Sequence, residues 1–291
     1  MERSYIMPRL CFILMLALSL ISVALRSLCM VFYFDADPGY FAADFMPILS
    51  NALYFVAVAT AAICVCLIPA NSLPKELRTY MRAPLSIVLG LALVVFTALS
   101  FALCFSARKS NLMIAPAALG ILASLYYFIS ANRNGRYPDW LSLCGYLSVF
   151  WSVAGIGEVY FDRYTAMNSP VKISLLFALM GFMFIVLAEM RFRVDRSMPR
   201  YSVFLLSVGC FTTLTGSIPL LVAIGAGKLD SIRLLLYSAV LIVAGFYGFY
   251  LLLHYTMCST EETDEEATDK TPEEDADETT SIEETAAPNA E

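Results

Sequence analysis

The chain has 291 residues, 59% of them hydrophobic and only 15% charged, with a mean hydropathy of +0.70; soluble domains carry roughly a quarter charged residues, so a soluble globular fold is excluded. The net charge of −6 sums two unlike regions: fourteen of the 25 acidic residues and one basic residue, Lys270, follow Ser259, while residues 1–258 are net +7. The acidic balance therefore describes the C-terminal tail, not the body, and gives no ground for a nucleic-acid partner.

A span needs roughly 20 apolar residues to cross the hydrocarbon core of a bilayer. Eight segments qualify: 10–34, 46–69, 84–107, 112–131, 139–161, 171–190, 201–226 and 231–254. Their continuous apolar character predicts helices, because lipid offers no partner for free backbone groups, and it lacks the alternation of a membrane β-barrel. The predicted fold class is all-α: a polytopic transmembrane bundle over 1–258, whose first partner is the lipid bilayer. The tail 259–291 is rich in Glu, Asp, Thr and Ala. It has too little apolar surface to offset its ordering entropy and is expected to be disordered.

The first segment contains Arg26, roughly 24 Å from Leu10 along a helix, with Ser22 one turn below it and Ser19 a further turn down. A second reading of this segment is a secretory signal ending at the small-x-small stretch Ser22-Val23-Ala24; the apolar run resumes after Arg26 and favours a retained helix. The loop that follows carries Asp35, Asp37 and Asp44, and the second segment opens with Asn51. The third and fourth are divided at 106–111, where Arg108 and Lys109 require a surface turn. The fifth carries small residues at Gly145, Ser148, Ser152 and Gly155, suited to close helix packing within the chain or between copies. It also carries Glu158, predicted to lie at the depth of Arg26.

Charges inside lipid are costly and are functional suspects by default. Arg26 and Glu158 fit either a buried ion pair or two side chains that reach separately for the headgroups. The seventh segment crowds Cys210, Thr212, Thr213, Thr215, Gly216, Ser217 and Pro219 together. Pro219 cannot bond the carbonyl of Thr215, so a helix break at Gly216 and Pro219 is expected. Broken helices line sites in transporters, whereas Ser, Thr and Gly also serve plain packing. Taken together, Arg26, Asn51, Glu158, Thr212, Thr213, Thr215 and Ser217 predict a polar, outward-facing pocket formed by the first, second, fifth and seventh spans. Its predicted occupant is a small polar ligand.

Four segments start at a proline beside arginine: Pro8, Pro84, Pro138 and Pro199. Proline suits a first helical turn, and these starts divide the body into four outward-pointing helix pairs. Placing the N-terminus in the cytosol puts twelve Lys and Arg inside against six outside. Both termini are therefore expected in the cytosol, with the bundle in the cell membrane.

No metal or cofactor site is expected. Cys64 and Cys66, two residues apart, point about 200° from each other on a helix, and His254 is the only histidine. No phosphate-binding loop, zinc-protease motif or nucleophile elbow occurs, so an enzyme is not expected. Two functions fit. One is a small transporter or permease-like subunit. The other is a sensor or accessory subunit that assembles with a partner protein through its spans or its acidic tail.

Overall fold

A computed structural model of the chain describes residues 3–35, 39–69, 84–107, 113–131, 139–162, 166, 168–193 and 199–258. The acidic tail, the charged turn at 108–112 and Pro138 lie outside the described residues. Among the described residues, eight α-helices carry the fold: α1 (Arg3–Leu28), α2 (Phe45–Leu67), α3 (Pro84–Ala107), α4 (Ile114–Ala131), α5 (Asp139–Phe161), α6 (Pro170–Arg193), α7 (Pro199–Gly225) and α8 (Ile232–Cys258). All are long and apolar enough to cross a membrane, which makes this a multi-pass membrane protein. Leu20, Phe32, Phe55 and Phe105 are among the large apolar side chains left on the outer surface of the bundle, where lipid rather than water is the favourable neighbour.

Helices α3 and α7 start at Pro84 and Pro199, as the sequence predicts. Helix α1 does not start at Pro8: it begins at Arg3 and carries that proline inside it. Beyond Leu28 it widens into a π-helical turn, Cys29–Tyr33. The chain then leaves as a short antiparallel hairpin of β1 (Phe34–Asp35) and β2 (Tyr40–Phe41). Gly39 closes its turn at φ +73°, a left-handed geometry that residues with a Cβ seldom adopt. The end of the bundle that carries β1 and β2 is called the hairpin end below.

Helix α7 is the most enclosed span and packs against α6, α8, α1 and α2. Its tightest seam is with α6. A Cβ on Gly209 would come 2.8 Å from the Gly181 carbonyl oxygen, and one on Gly181 equally close to the Gly209 carbonyl. Gly216 lies against the Ser174 carbonyl in the same seam. Missing side chains thus let two backbones touch, which is how membrane helices gain dispersion contact without a solvent-driven term.

The expected break at Gly216 and Pro219 is absent, and α7 runs unbroken through both to Gly225. Pro219 removes one backbone bond, but α6 and α8 clamp the helix on either side, so the local weakness is overridden by packing. Helix α7 ends instead in a Schellman motif. Gly227 N–H bonds the Ile224 carbonyl and Lys228 N–H the Ala223 carbonyl, with Gly227 at φ +71°.

The small-residue stripe of α5 packs inside the chain rather than toward another copy. Gly145 faces Met190 and Tyr126, Gly155 faces Tyr237 and Leu179, and Ser148 and Ser152 are fully buried between them.

Candidate functional site

Two helix faces build a charged cavity at the hairpin end. On α5, Glu158 and Asp162 are four residues apart; on α8, Arg233 and Tyr237 are spaced likewise. Residues at i and i+4 share a helix face, so the two pairs meet. Arg233 lies 3.5 Å from Glu158 Oε1 and 3.5 Å from Asp162 Oδ2. Tyr237 Oη donates to Glu158 Oε2 at 2.6 Å. Glu158 is 3% exposed whereas Arg233 is 35% exposed, so the cation faces the opening and the carboxylate forms the depth.

The cavity measures about 460 Å³ and is bounded by α5, α6, α8 and the hairpin. Lys172 of α6 and Asp230 before α8 add a charge of each sign to its wall, and Phe34, Val159, Leu175 and Leu234 supply apolar surface. Lys172 Nζ donates to the Asp162 main-chain carbonyl at 3.0 Å, tying α6 to the end of α5. Below Glu158 the floor is aromatic. The Tyr237 ring lies 4.8 Å from Phe96 and 5.8 Å from Trp151, centroid to centroid. Such a floor sets the height of the Tyr237 hydroxyl.

Arg26 is not in this cavity. Its guanidinium is 2% exposed at the junction of α1, α2 and α6. Nη1 donates to Asn51 Oδ1 at 2.9 Å, while Nε and Nη2 donate to Ser174 Oγ at 3.2 and 2.9 Å. The rings of Tyr54 and Phe41 lie 5.3 and 5.8 Å from its central carbon. Arg26 and Asn51 do meet, as the sequence suggests, but the Arg26–Glu158 pair does not form. The reason is topological. Helix α1 packs on α2, α7 and α8, and α5 packs on α4 and α6, so equal depth does not bring the two charges together.

The hydroxyls of α7 form neither site. Thr212 Oγ1 donates to the Val208 carbonyl at 2.8 Å, Thr213 Oγ1 to the Gly209 carbonyl at 2.6 Å, and Ser217 Oγ to the Thr213 carbonyl at 2.6 Å. These three bond their own helix, and Thr213 also reaches the Ala178 carbonyl of α6 at 3.4 Å, whereas the Thr215 hydroxyl finds no partner among the described residues. Thr215 is fully buried. The predicted pocket of the first, second, fifth and seventh spans is therefore replaced by a cavity of the fifth, sixth and eighth.

A further cluster, which the sequence reading passed over, lies toward the opposite end. Glu189 of α6 is 1% exposed, and its Oε1 accepts hydrogen bonds from Tyr126 of α4 at 3.1 Å and Tyr247 of α8 at 2.8 Å. The signal was present as one acid in an apolar run, but its partners lie 63 and 58 residues away. Replacing Tyr247 with Phe should cost about 1 kcal/mol, typical of one lost hydrogen bond. Thermal unfolding of the purified protein measures it, and an unchanged melting temperature would show that this hydroxyl does not hold the carboxylate.

Among the described residues no group of three or more His, Cys, Asp or Glu is placed to hold a metal ion. No protein-family model, no curated protein and no solved structure matches this chain.

Proposed function

We propose that the protein is a small carrier or permease-like subunit that takes a zwitterionic solute of about amino-acid size into the hairpin-end cavity. The observation that carries this reading is the pairing of buried Glu158 with half-open Arg233 at one mouth. A ligand bearing both charges can exchange partners with that pair without leaving either charge bare, which a singly charged solute cannot do. A volume of about 460 Å³ lies within the usual range of small-molecule sites, and the apolar wall beside the charges fits their usual lining. Binding and passage, not catalysis, are the proposed activity.

In this reading the bundle sits in the cell membrane with both termini in the cytosol, so the hairpin end faces outward. The basis is the excess of Lys and Arg in the loops at the opposite end. A reporter fused after Glu291 should be active only in a cytosolic assay; activity on the outer side would reverse the direction of access.

A second reading is favoured by the α6–α7 seam, whose backbone contacts resist the helix separation that a through-path needs. In it the protein is a sensor or accessory subunit that binds the solute and relays it to a partner protein, with the tail 259–291 as the docking element.

The test is thermal unfolding of purified full-length protein against the twenty amino acids, betaine and carnitine. A ligand at about 100-fold its dissociation constant should stabilise by roughly 2.7 kcal/mol. Uptake of the stabilising solute into proteoliposomes then separates carrier from accessory subunit. No stabilisation by any zwitterion would remove the solute from the proposal.

A further inference from the structure

At the α1–α2–α6 junction Arg26 is buried, and among the described residues no carboxylate forms an ion pair with it. Among the described residues, Arg26 is bonded only to Asn51 and Ser174, both uncharged. A guanidinium has five N–H donors, and the three bonds formed leave one N–H on each terminal nitrogen. Taking an unpaired charge out of water costs several kcal/mol. Neutral partners and two aromatic faces recover only part of that.

Unused hydroxyls flank the same charge. Ser22 lies one turn below Arg26 on α1. On α2, Tyr54 presents its ring to the guanidinium, and Ser50 sits one turn before Tyr54. All three hydroxyl oxygens are buried and have no hydrogen-bond partner among the described residues. A hydroxyl can donate as well as accept, so these three are available to bond an acceptor that sits on the guanidinium. Ser22 is on one helix and Ser50 and Tyr54 on another, while the free N–H groups lie in the guanidinium plane. A planar carboxylate could take the N–H fork alone; a tetrahedral oxyanion can also reach donors outside that plane.

The direction of approach is set by α2. Asn51 is exposed, and Phe45, Ile48 and Phe55 around it are exposed apolar side chains, so this wall faces lipid. Asn51 lies about 9 Å along the helix from Phe45, close to headgroup depth. We infer that this junction is a second binding site, separate from the cavity, which takes the phosphate of a membrane phospholipid on Arg26 with Ser22, Ser50 and Tyr54 as supporting donors.

The experiment uses full-length protein in detergent, unfolded thermally with dioleoylphosphatidylglycerol, with dioleoylglycerol, which lacks the phosphate, and with inorganic phosphate. Phosphatidylglycerol should raise the melting temperature and dioleoylglycerol should not. Arg26→Met should weaken phosphatidylglycerol binding about tenfold or more, and Tyr54→Phe about threefold, as expected for charged and neutral donors. Lipid-free Arg26→Met should melt no lower than the native protein, because it removes a bare charge and Ser174 keeps its bond to the Pro170 carbonyl. Inorganic phosphate stabilising the native protein but not Arg26→Met would support the same oxyanion chemistry with a soluble source. Equal stabilisation by the two lipids, or of Arg26→Met and native protein by phosphatidylglycerol, overturns the site. Should Arg26→Met fail to fold, unchanged phosphatidylglycerol affinity in both Tyr54→Phe and Ser22→Ala overturns it instead.

Discussion

Replacing Arg233 with alanine will destabilise the bundle by about 2–3 kcal/mol and abolish stabilisation by the zwitterion proposed for the cavity. Breaking a fully buried ion pair costs about 3–5 kcal/mol, because the remaining charge is left without a partner. The figure here is lower since water reaches Arg233 and already screens part of the attraction. What remains is Glu158, 3% exposed and held by Tyr237 alone. A double variant, Glu158→Leu with Arg233→Met, should recover most of the lost stability while binding stays absent. Groups in one network give strongly non-additive losses. Melting temperatures of the two single variants and the double variant measure the effect. Additive losses would mean that the two residues do not act as a pair.

Gly209→Val is expected to be the most damaging single change in the α6–α7 seam, at about 3–5 kcal/mol, the upper range for overpacking. The first added carbon would stand 2.8 Å from the Gly181 carbonyl oxygen and 3.1 Å from the Ile185 amide nitrogen. Both are backbone atoms of α6 and cannot rotate aside. Gly157→Ala is the control. Nothing lies within 4 Å of a Cβ there, so the change should stabilise α5 by about 0.8–1 kcal/mol through helix propensity alone. Folded yield and unfolding temperature in detergent report both. A Gly209→Val protein as stable as the native one would mean that the helices of this core are free to part, which would strengthen the carrier reading over the accessory one.

Membrane spans were legible because their signal is local. Lipid demands an apolar run of fixed length, and prolines such as Pro84 and Pro199 mark where helices can begin without wasting a donor. Height along a span follows from counting residues at about 1.5 Å each. What a linear count does not give is the direction in which a side chain points around the bundle. Arg26 and Glu158 were matched by height and are parted by α6 and α7. The polar run of α7 was compatible with both a break and a seam, because Gly, Ser and Thr weaken a lone helix yet let packed helices approach. Which outcome prevailed depended on Gly181, about thirty residues earlier. Asn51 was correctly associated with Arg26 because α1 and α2 are consecutive. Arg233, Tyr237 and Glu189 were missed because their partners are remote in sequence, although the four-residue spacings on α5 and α8 were there to be read.

Phe34 and Phe41 are cross-strand partners whose rings meet edge-on at 6.2 Å. One lines the charged cavity and the other covers Arg26. A ligand that shifts either ring must therefore work against the other, so the proposed solute and phospholipid would share a single mechanical latch. If filling one site loosens or tightens that latch, reciprocity requires the second ligand to alter the first one's affinity by the same factor. Lipid composition would then set how strongly the protein holds its solute, with no contact between the two molecules.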